Sequence, residues 1–222
     1  MTPTLHHIVR PARPGPGKPP VLILLHGVGS NERDMASLAP AMDPRFLVVS
    51  VRSPIELGPD AFAWFHVTFN ARGPAIDAKE AAAGWKALNQ FIREVVAKYA
   101  GDATRVYVAG FSQGGIMSLA ALLTAPELVA GAVCMSGRLL PELLPNAASR
   151  DLLARKAVLV VHGTADTRLG IDYARNARAT LQELAIDLTY HELPMGHEIT
   201  PDSLAITAKW LSSRLDEPQR NS

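Results

Sequence analysis

A serine hydroxyl attacks a carbonyl only when a base removes its proton, and the base needs a third group to orient it. The stretch Gly110-Phe111-Ser112-Gln113-Gly114 fits G-x-S-x-G. An apolar run ends at this serine and a small-residue, helix-like run starts after it. A tight strand-to-helix turn there would lift the Ser112 hydroxyl above a sheet edge and aim a helix N-terminus at whatever it attacks. The bland alternative is a glycine-rich turn whose serine merely caps the helix.

The alternative weakens if partners exist. On this kind of scaffold they follow in the order Ser, Asp or Glu, His. Three histidines lie downstream. His162 ends a buried run, ahead of the acid candidates, and reads as a local packing or hydrogen-bonding residue. His191 sits inside the alternating run "LTYHEL" and reads as a strand side chain. His197, in "PMGHEI", falls in a loop just after that run and is the expected base. For the acid, Asp166 follows "AVLVVHGTAD", with Asp172 in reserve; Asp187 falls at the wrong end of its run. The oxyanion of a tetrahedral intermediate needs two N–H donors. One is expected from Gln113, directly after the nucleophile. The other is expected from Val28, in the glycine loop "HGVGSNERD" after an early apolar run.

Such groups must be held by strands that end together. Short β-branched runs, most of them continuously apolar, occur at Val21–Leu25, Leu47–Val51, Val106–Ala109, Ala130–Met135, Val158–Val161 and Leu188–Leu193. All but the last lack alternation, as expected of strands buried on both faces of a parallel sheet. Between them lie helical patterns at Asp34–Ala41, Asp77–Tyr99, Gly114–Thr124, Ile171–Leu184 and Pro201–Leu215. Asp77 with Glu80 suggests a capping box, and Thr200 before Pro201 a hydroxyl cap. Alternating strands and helices predict an α/β fold, a mostly parallel sheet with helices on both faces. Its chemistry should collect at the carboxyl ends of the strands.

The 222 residues read as a single α/β domain over 1–222, with a Pro/Gly-rich N-terminal edge segment over 1–20 and a polar tail over 216–222. Hydrophobic residues are 48% of the chain, enough for a full core without staples. The net charge of +1 argues against a nucleic-acid partner, which would need a basic stripe. No apolar run reaches the length of a membrane span, and no signal-peptide h-region is seen. The one cysteine, Cys134, reads as a core residue, compatible with a cytoplasmic location. No H-E-x-x-H, paired-cysteine, P-loop or dinucleotide pattern is present, so no metal or organic cofactor is expected.

The segments "LLHGVGSNERDM", "VSVRSP", "AWF", "GFSQGG", "CMSG", "VVHGTAD" and "GHEI" together resemble the phospholipase/carboxylesterase family of α/β-hydrolases. That family includes acyl-protein thioesterases and small bacterial carboxylesterases. The resemblance implies Ser112 as nucleophile, Asp166 and His197 as its partners, and Val28 and Gln113 as oxyanion donors. It implies a small-molecule ester as substrate and a monomer or homodimer. Two departures stand out. "TRLGID" puts Gly170 where relatives often carry proline, which bears on acyl preference. "HGVGSNERD" differs from the eukaryotic thioesterases and favours the bacterial esterase branch. By the same resemblance the aromatic segment "PDAFAWFHVTFN" lies near the site, so Trp64 and Phe65 are pocket candidates; ordinary core packing is the competing reading. Met117 and Leu169 are weaker pocket candidates. The expected activity is hydrolysis of short- to medium-chain carboxylic esters. A long-chain thioesterase or lysophospholipase is the rival, and a non-catalytic binding protein a remote one.

Overall fold

The structure is a computed structural model and describes residues 2–70 and 73–217. In chain order it forms β1 (His7–Arg10), β2 (Val21–Leu25), α1 (Glu32–Ala36), β3 (Leu47–Val51), β4 (Ile55–Gly58), β5 (Ala61–Ala63), β6 (Val67–Asn70) and β7 (Gly73–Ile76). Then follow α2 (Ala78–Lys98), β8 (Val106–Phe111), α3 (Gln113–Thr124), β9 (Gly131–Met135), α4 (Arg150–Leu153), β10 (Ala157–Gly163), α5 (Ile171–Glu183), β11 (Asp187–Leu193) and α6 (Pro201–Asp216).

Seven strands form one sheet in the order β1-β3-β2-β8-β9-β10-β11. All neighbours are parallel except β1, which runs antiparallel along β3. The apolar runs are continuous because both faces are covered. On β2, Val21, Ile23 and Leu25 face a core with α2, α3 and α5, while Leu22 and Leu24 face a second core with α1 and α6. Chain order reverses between β2 and β8: β3 lies to one side of β2 and β8 to the other. Loops leaving such neighbours in opposite directions open a crevice at their carboxyl ends.

Several elements differ from the sequence expectation. The helix expected over Asp34–Ala41 starts earlier, at Glu32, capped by the Asn31 side chain, and breaks into a separate 3-10 turn at Ala39–Ala41. Pro40 lacks the N–H that would continue it. Asp77 caps α2 by accepting from the N–H groups of Lys79 and Glu80, but no reciprocal box forms. Glu80 instead accepts from the backbone N–H of His66 at 2.8 Å. The irregular aromatic segment contributes β5 and β6 to two small antiparallel hairpins, β4–β5 and β6–β7, outside the main sheet. The expected polar tail begins inside α6, which runs to Asp216, and 218–222 lie outside the described residues. No helix among the described residues is long and apolar enough to cross a membrane.

Candidate active site

The turn after β8 is sterically forced. Ser112 has φ 54° and ψ −116°, a conformation that costs an L-residue energy and persists only where its surroundings impose it. A Cβ on Gly110 would lie 2.1 Å from the Gly114 carbonyl carbon. One on Gly114 would lie 2.1 Å from the Leu25 carbonyl oxygen. The glycines thus let β8 fold sharply into α3 while α3 presses against the end of β2. The Ser112 N–H donates to Met135 O on β9 at 2.8 Å, and its carbonyl accepts from Ile116 N–H. Nearly every residue of α3 is buried, so the elbow rests on a fixed element.

Ser112 Oγ lies 2.9 Å from Nε2 of His197, in hydrogen-bond reach. On the other side of the ring, Nδ1–H donates to Asp166 Oδ2 at 2.7 Å. Asp166 is buried, and its Oδ1 accepts from the N–H groups of Arg168 and Leu169, each at 2.9 Å. Those bonds hold the carboxylate in one orientation. His162 braces the same loop: its Nε2–H donates to Leu169 O at 2.7 Å. The loops bearing Asp166 and His197 meet because Gly163 ends β10. A Cβ there would lie 2.2 Å from Met195 O. Thr164 N–H and Ala165 N–H donate to Leu193 O and Met195 O, tying the two loops together. The ring of Phe111 packs beside His197 with centroids 5.0 Å apart. The other polar candidates stand elsewhere. Asp172 is exposed near Arg175, Asp187 pairs with Arg214, and His191 lies within β11.

After β2, His26 is fully buried. Its Nδ1–H donates to Gly27 O at 2.8 Å, and its Nε2 accepts from Ser53 N–H at 3.1 Å. Burial lowers its pKa and keeps the ring neutral, as this pairing requires. A trans peptide points its C=O and N–H in opposite directions. With Gly27 O turned to His26, the next N–H, that of Val28, faces away from the ring. No backbone or side-chain acceptor among the described residues takes it, nor the N–H of Gln113 in the first turn of α3. The Gln113 side chain has a different task. Its Oε1 accepts from Trp64 N–H at 2.7 Å and its Nε2–H donates to Phe65 O at 2.8 Å, fastening the aromatic segment to the elbow.

A cavity of about 310 Å³ opens at this point, lined by Ser112, His197, Gln113 and Val28 together with an apolar wall that includes Phe65, Ile116 and Leu169. Of the four sequence-based pocket candidates, Phe65 and Leu169 line it. Trp64 and Met117 do not: both are buried in the core shared with α2, where the Gly84 backbone approaches Trp64 O and Met117. Phe65 belongs to the same core but lies at its edge, in the bend between β5 and β6, where it also borders the cavity. Sequence reasoning missed the β6–β7 wall (Val67, Pro74, Ile76) and Arg138. The only local signal for Arg138 is a charged residue directly after "CMSG" at a strand end. Cys134 is buried, which raises its thiol pKa to about 12 and leaves it inert. Among the described residues, no group of three or more His, Cys, Asp or Glu side chains could hold a metal ion.

A family model described as Phospholipase/Carboxylesterase matches residues 6–215. The chain is 30% identical over 213 residues to a probable carboxylesterase of Oryza sativa subsp. japonica, covering 88% of each protein. It is 28% identical over 216 residues to acyl-protein thioesterase 1 of Mycosarcoma maydis, covering 86% of this chain and 89% of that one. Among solved structures, esterase PE8 superposes with a TM-score of 0.82 at 26% identity, over 94% of this chain and 98% of that one. The Bacillus cereus carboxylesterase shares the fold with a TM-score of 0.81 at 24% identity, over 95% and 94% of the two chains. The chain belongs to the phospholipase/carboxylesterase family and is a hydrolase of the α/β-hydrolase fold.

Proposed function

We propose that this member of the family is a serine carboxylesterase that cleaves short- to medium-chain carboxylic esters through an acyl-enzyme, with Ser112, His197 and Asp166 as its catalytic residues. The observation that carries the reading is the unbroken relay from Ser112 Oγ through both ring nitrogens of His197 to buried Asp166. His197 Nε2 takes the hydroxyl proton as Oγ bonds to the ester carbonyl carbon. The carbonyl π pair moves onto oxygen, which Val28 N–H and Gln113 N–H stabilise together with the positive end of α3. Asp166 keeps the Nδ1–H tautomer and stabilises the imidazolium. The C–O bond then breaks and the alcohol leaves with the proton from His197. Water, deprotonated by the same ring, attacks the acyl-enzyme, and Ser112 recovers its proton as the acid departs. Residue chemistry alone suffices, with no cofactor.

The chain-length assignment rests on a cavity of about 310 Å³, near the lower end for small-molecule sites. Phe65, Leu169 and Ile116 would contact the acyl chain. A cytoplasmic monomer or homodimer, of the bacterial branch, completes the proposal. The test is hydrolysis of p-nitrophenyl esters from acetate to palmitate. A kcat/KM maximum between acetate and octanoate is expected. A maximum at palmitate would replace this reading with a long-chain thioesterase or lysophospholipase; the Mycosarcoma maydis relative is named an acyl-protein thioesterase.

A further inference from the structure

The cavity beside Ser112 contains a charge that hydrolysis of a neutral ester does not use. Its lining includes two arginines, Arg138 and Arg168, and no Asp or Glu. Arg168 sits exposed on the rim. Arg138 is different, with only 9% of its surface exposed. It follows β9, in the turn Ser136-Gly137-Arg138 next to the elbow; a Cβ on Gly137 would lie 3.0 Å from Ser112 O. Its guanidinium reaches out between the β6–β7 hairpin and α5. There its Nη2–H donates to Pro74 O at a long 3.4 Å, and its carbon lies 5.3 Å from the centroid of the Tyr173 ring. No carboxylate among the described residues comes within 4.0 Å of it.

A guanidinium is always charged and carries five N–H donors in a planar fork. A buried one is normally matched by a carboxylate or by several hydrogen bonds, because burying unpaired charge is costly. Among the described residues Arg138 has one weak bond and an aromatic face, and it opens onto the substrate cavity. If the acyl pocket served only hydrocarbon, an apolar side chain would fit better, and the next two residues are Leu139 and Leu140. Arg138 has the geometry of a site whose counter-ion arrives with the substrate.

We propose that the natural substrate is an ester bearing a carboxylate, and that Arg138 binds this carboxylate while Ser112 engages the ester carbonyl in the same cavity. The fork matches a carboxylate bidentately, which fixes the substrate's orientation as well as its charge. Arg168 adds positive potential at the mouth. The inference rests on the serine-esterase reading of Ser112.

The test compares pairs matched in carbon number in a pH-stat. Ethyl half-esters of succinate, glutarate and adipate are set against ethyl butanoate, pentanoate and hexanoate, and 4-acetoxybutanoate against butyl acetate. At least one anionic ester should exceed its neutral match in kcat/KM by about 10- to 100-fold, the range of a charge-assisted hydrogen-bonded contact. In R138M that ratio should fall to one or below, and R138K should keep an intermediate ratio, holding the charge without the fork. A ratio measured on one preparation is insensitive to a partly unfolded fraction. If R138M does not fold, the wild-type and R138K ratios decide. No anionic preference in any wild-type pair, or the same preference in every folded variant, overturns the inference. Ethyl hexanoate hydrolysis that survives S112A overturns the serine-esterase reading instead. Wild-type hydrolysis of ethyl hexanoate that S112A abolishes, with no anionic preference, leaves the serine reading intact and removes the carboxylate site.

Discussion

Gly110→Ala should disable the enzyme without touching any reacting atom. The added methyl would lie 2.1 Å from the Gly114 carbonyl carbon, 2.2 Å from its oxygen and 2.7 Å from Gly115 N. Ordinary contact begins near 3.4 Å, so the first turn of α3 must retreat by more than about 1 Å. It cannot retreat alone, because Gly114 is itself wedged against Leu25 O and α3 is buried almost throughout. The Gln113 N–H and the Ser112 Oγ would move with it. Overpacking of this kind costs about 1–3 kcal/mol of stability, and a misplacement of about 1 Å costs on the order of 100-fold in rate. The assay is kcat on p-nitrophenyl butanoate, with a melting curve to confirm that the protein is folded. Gly170→Ala is the control. Gly170 lies close to the site, but a Cβ there meets nothing within 4 Å and the residue has φ −52°, so activity should be retained. G110A with more than a tenth of wild-type kcat and an unchanged melting temperature would refute the account of the elbow.

His26→Leu removes the bonds to Gly27 O and Ser53 N–H, freeing the peptide that aims Val28 N–H. Loss of one oxyanion donor predicts a fall in kcat of about 100- to 1,000-fold with little change in KM; steady-state kinetics on the folded variant would decide. Asp166→Asn should leave the fold intact but favour the wrong His197 tautomer, lowering kcat on the order of 10⁴-fold by analogy with other serine triads. Acid stability should depend on Glu32, which is 1% exposed and receives two hydrogen bonds from Arg52 at 2.7 and 2.6 Å. Those bonds hold its pKa at about 2, below the ordinary 4.5. A depressed carboxylate stabilises the fold fully above about pH 4.5 and loses that contribution as pH falls toward 2. The contribution is about 2–3 kcal/mol after discounting for solvent at the partly exposed Arg52 end. Urea denaturation at pH 7 and pH 3 should therefore show a smaller pH-dependent loss in Glu32→Gln than in the wild type. An identical loss in both would remove Glu32 as the cause.

The candidate site was legible because each residue proposed for it falls in a short motif at a strand end. "GFSQGG" encodes a steric necessity within five residues; "HGTAD" follows an apolar run and "GHEI" an alternating one. The sheet was legible for a related reason: strands buried on both faces carry uninterrupted apolar runs. What the sequence concealed depends on partners far along the chain. Trp64 and Phe65 are adjacent aromatics, and only the packing of α2 and the Gln113 clamp decides which one faces the cavity. Glu80 matched a capping box until the β5–β6 segment brought His66 N–H into reach. The hairpins are built from three- and four-residue strands, too short for a period to emerge. Nothing in the local sequence marks Arg138 as buried, because its surroundings include Pro74 and Tyr173, 64 and 35 residues distant.

The most direct test of the central claim is the mass of the trapped enzyme. The protein is incubated with a fluorophosphonate ester, and its mass and peptide map are recorded beside those of S112A. The account predicts a single adduct on the peptide containing Ser112, complete loss of esterase activity, and no adduct on S112A. An adduct on another residue, or an S112A protein that keeps more than a tenth of the turnover, would contradict it.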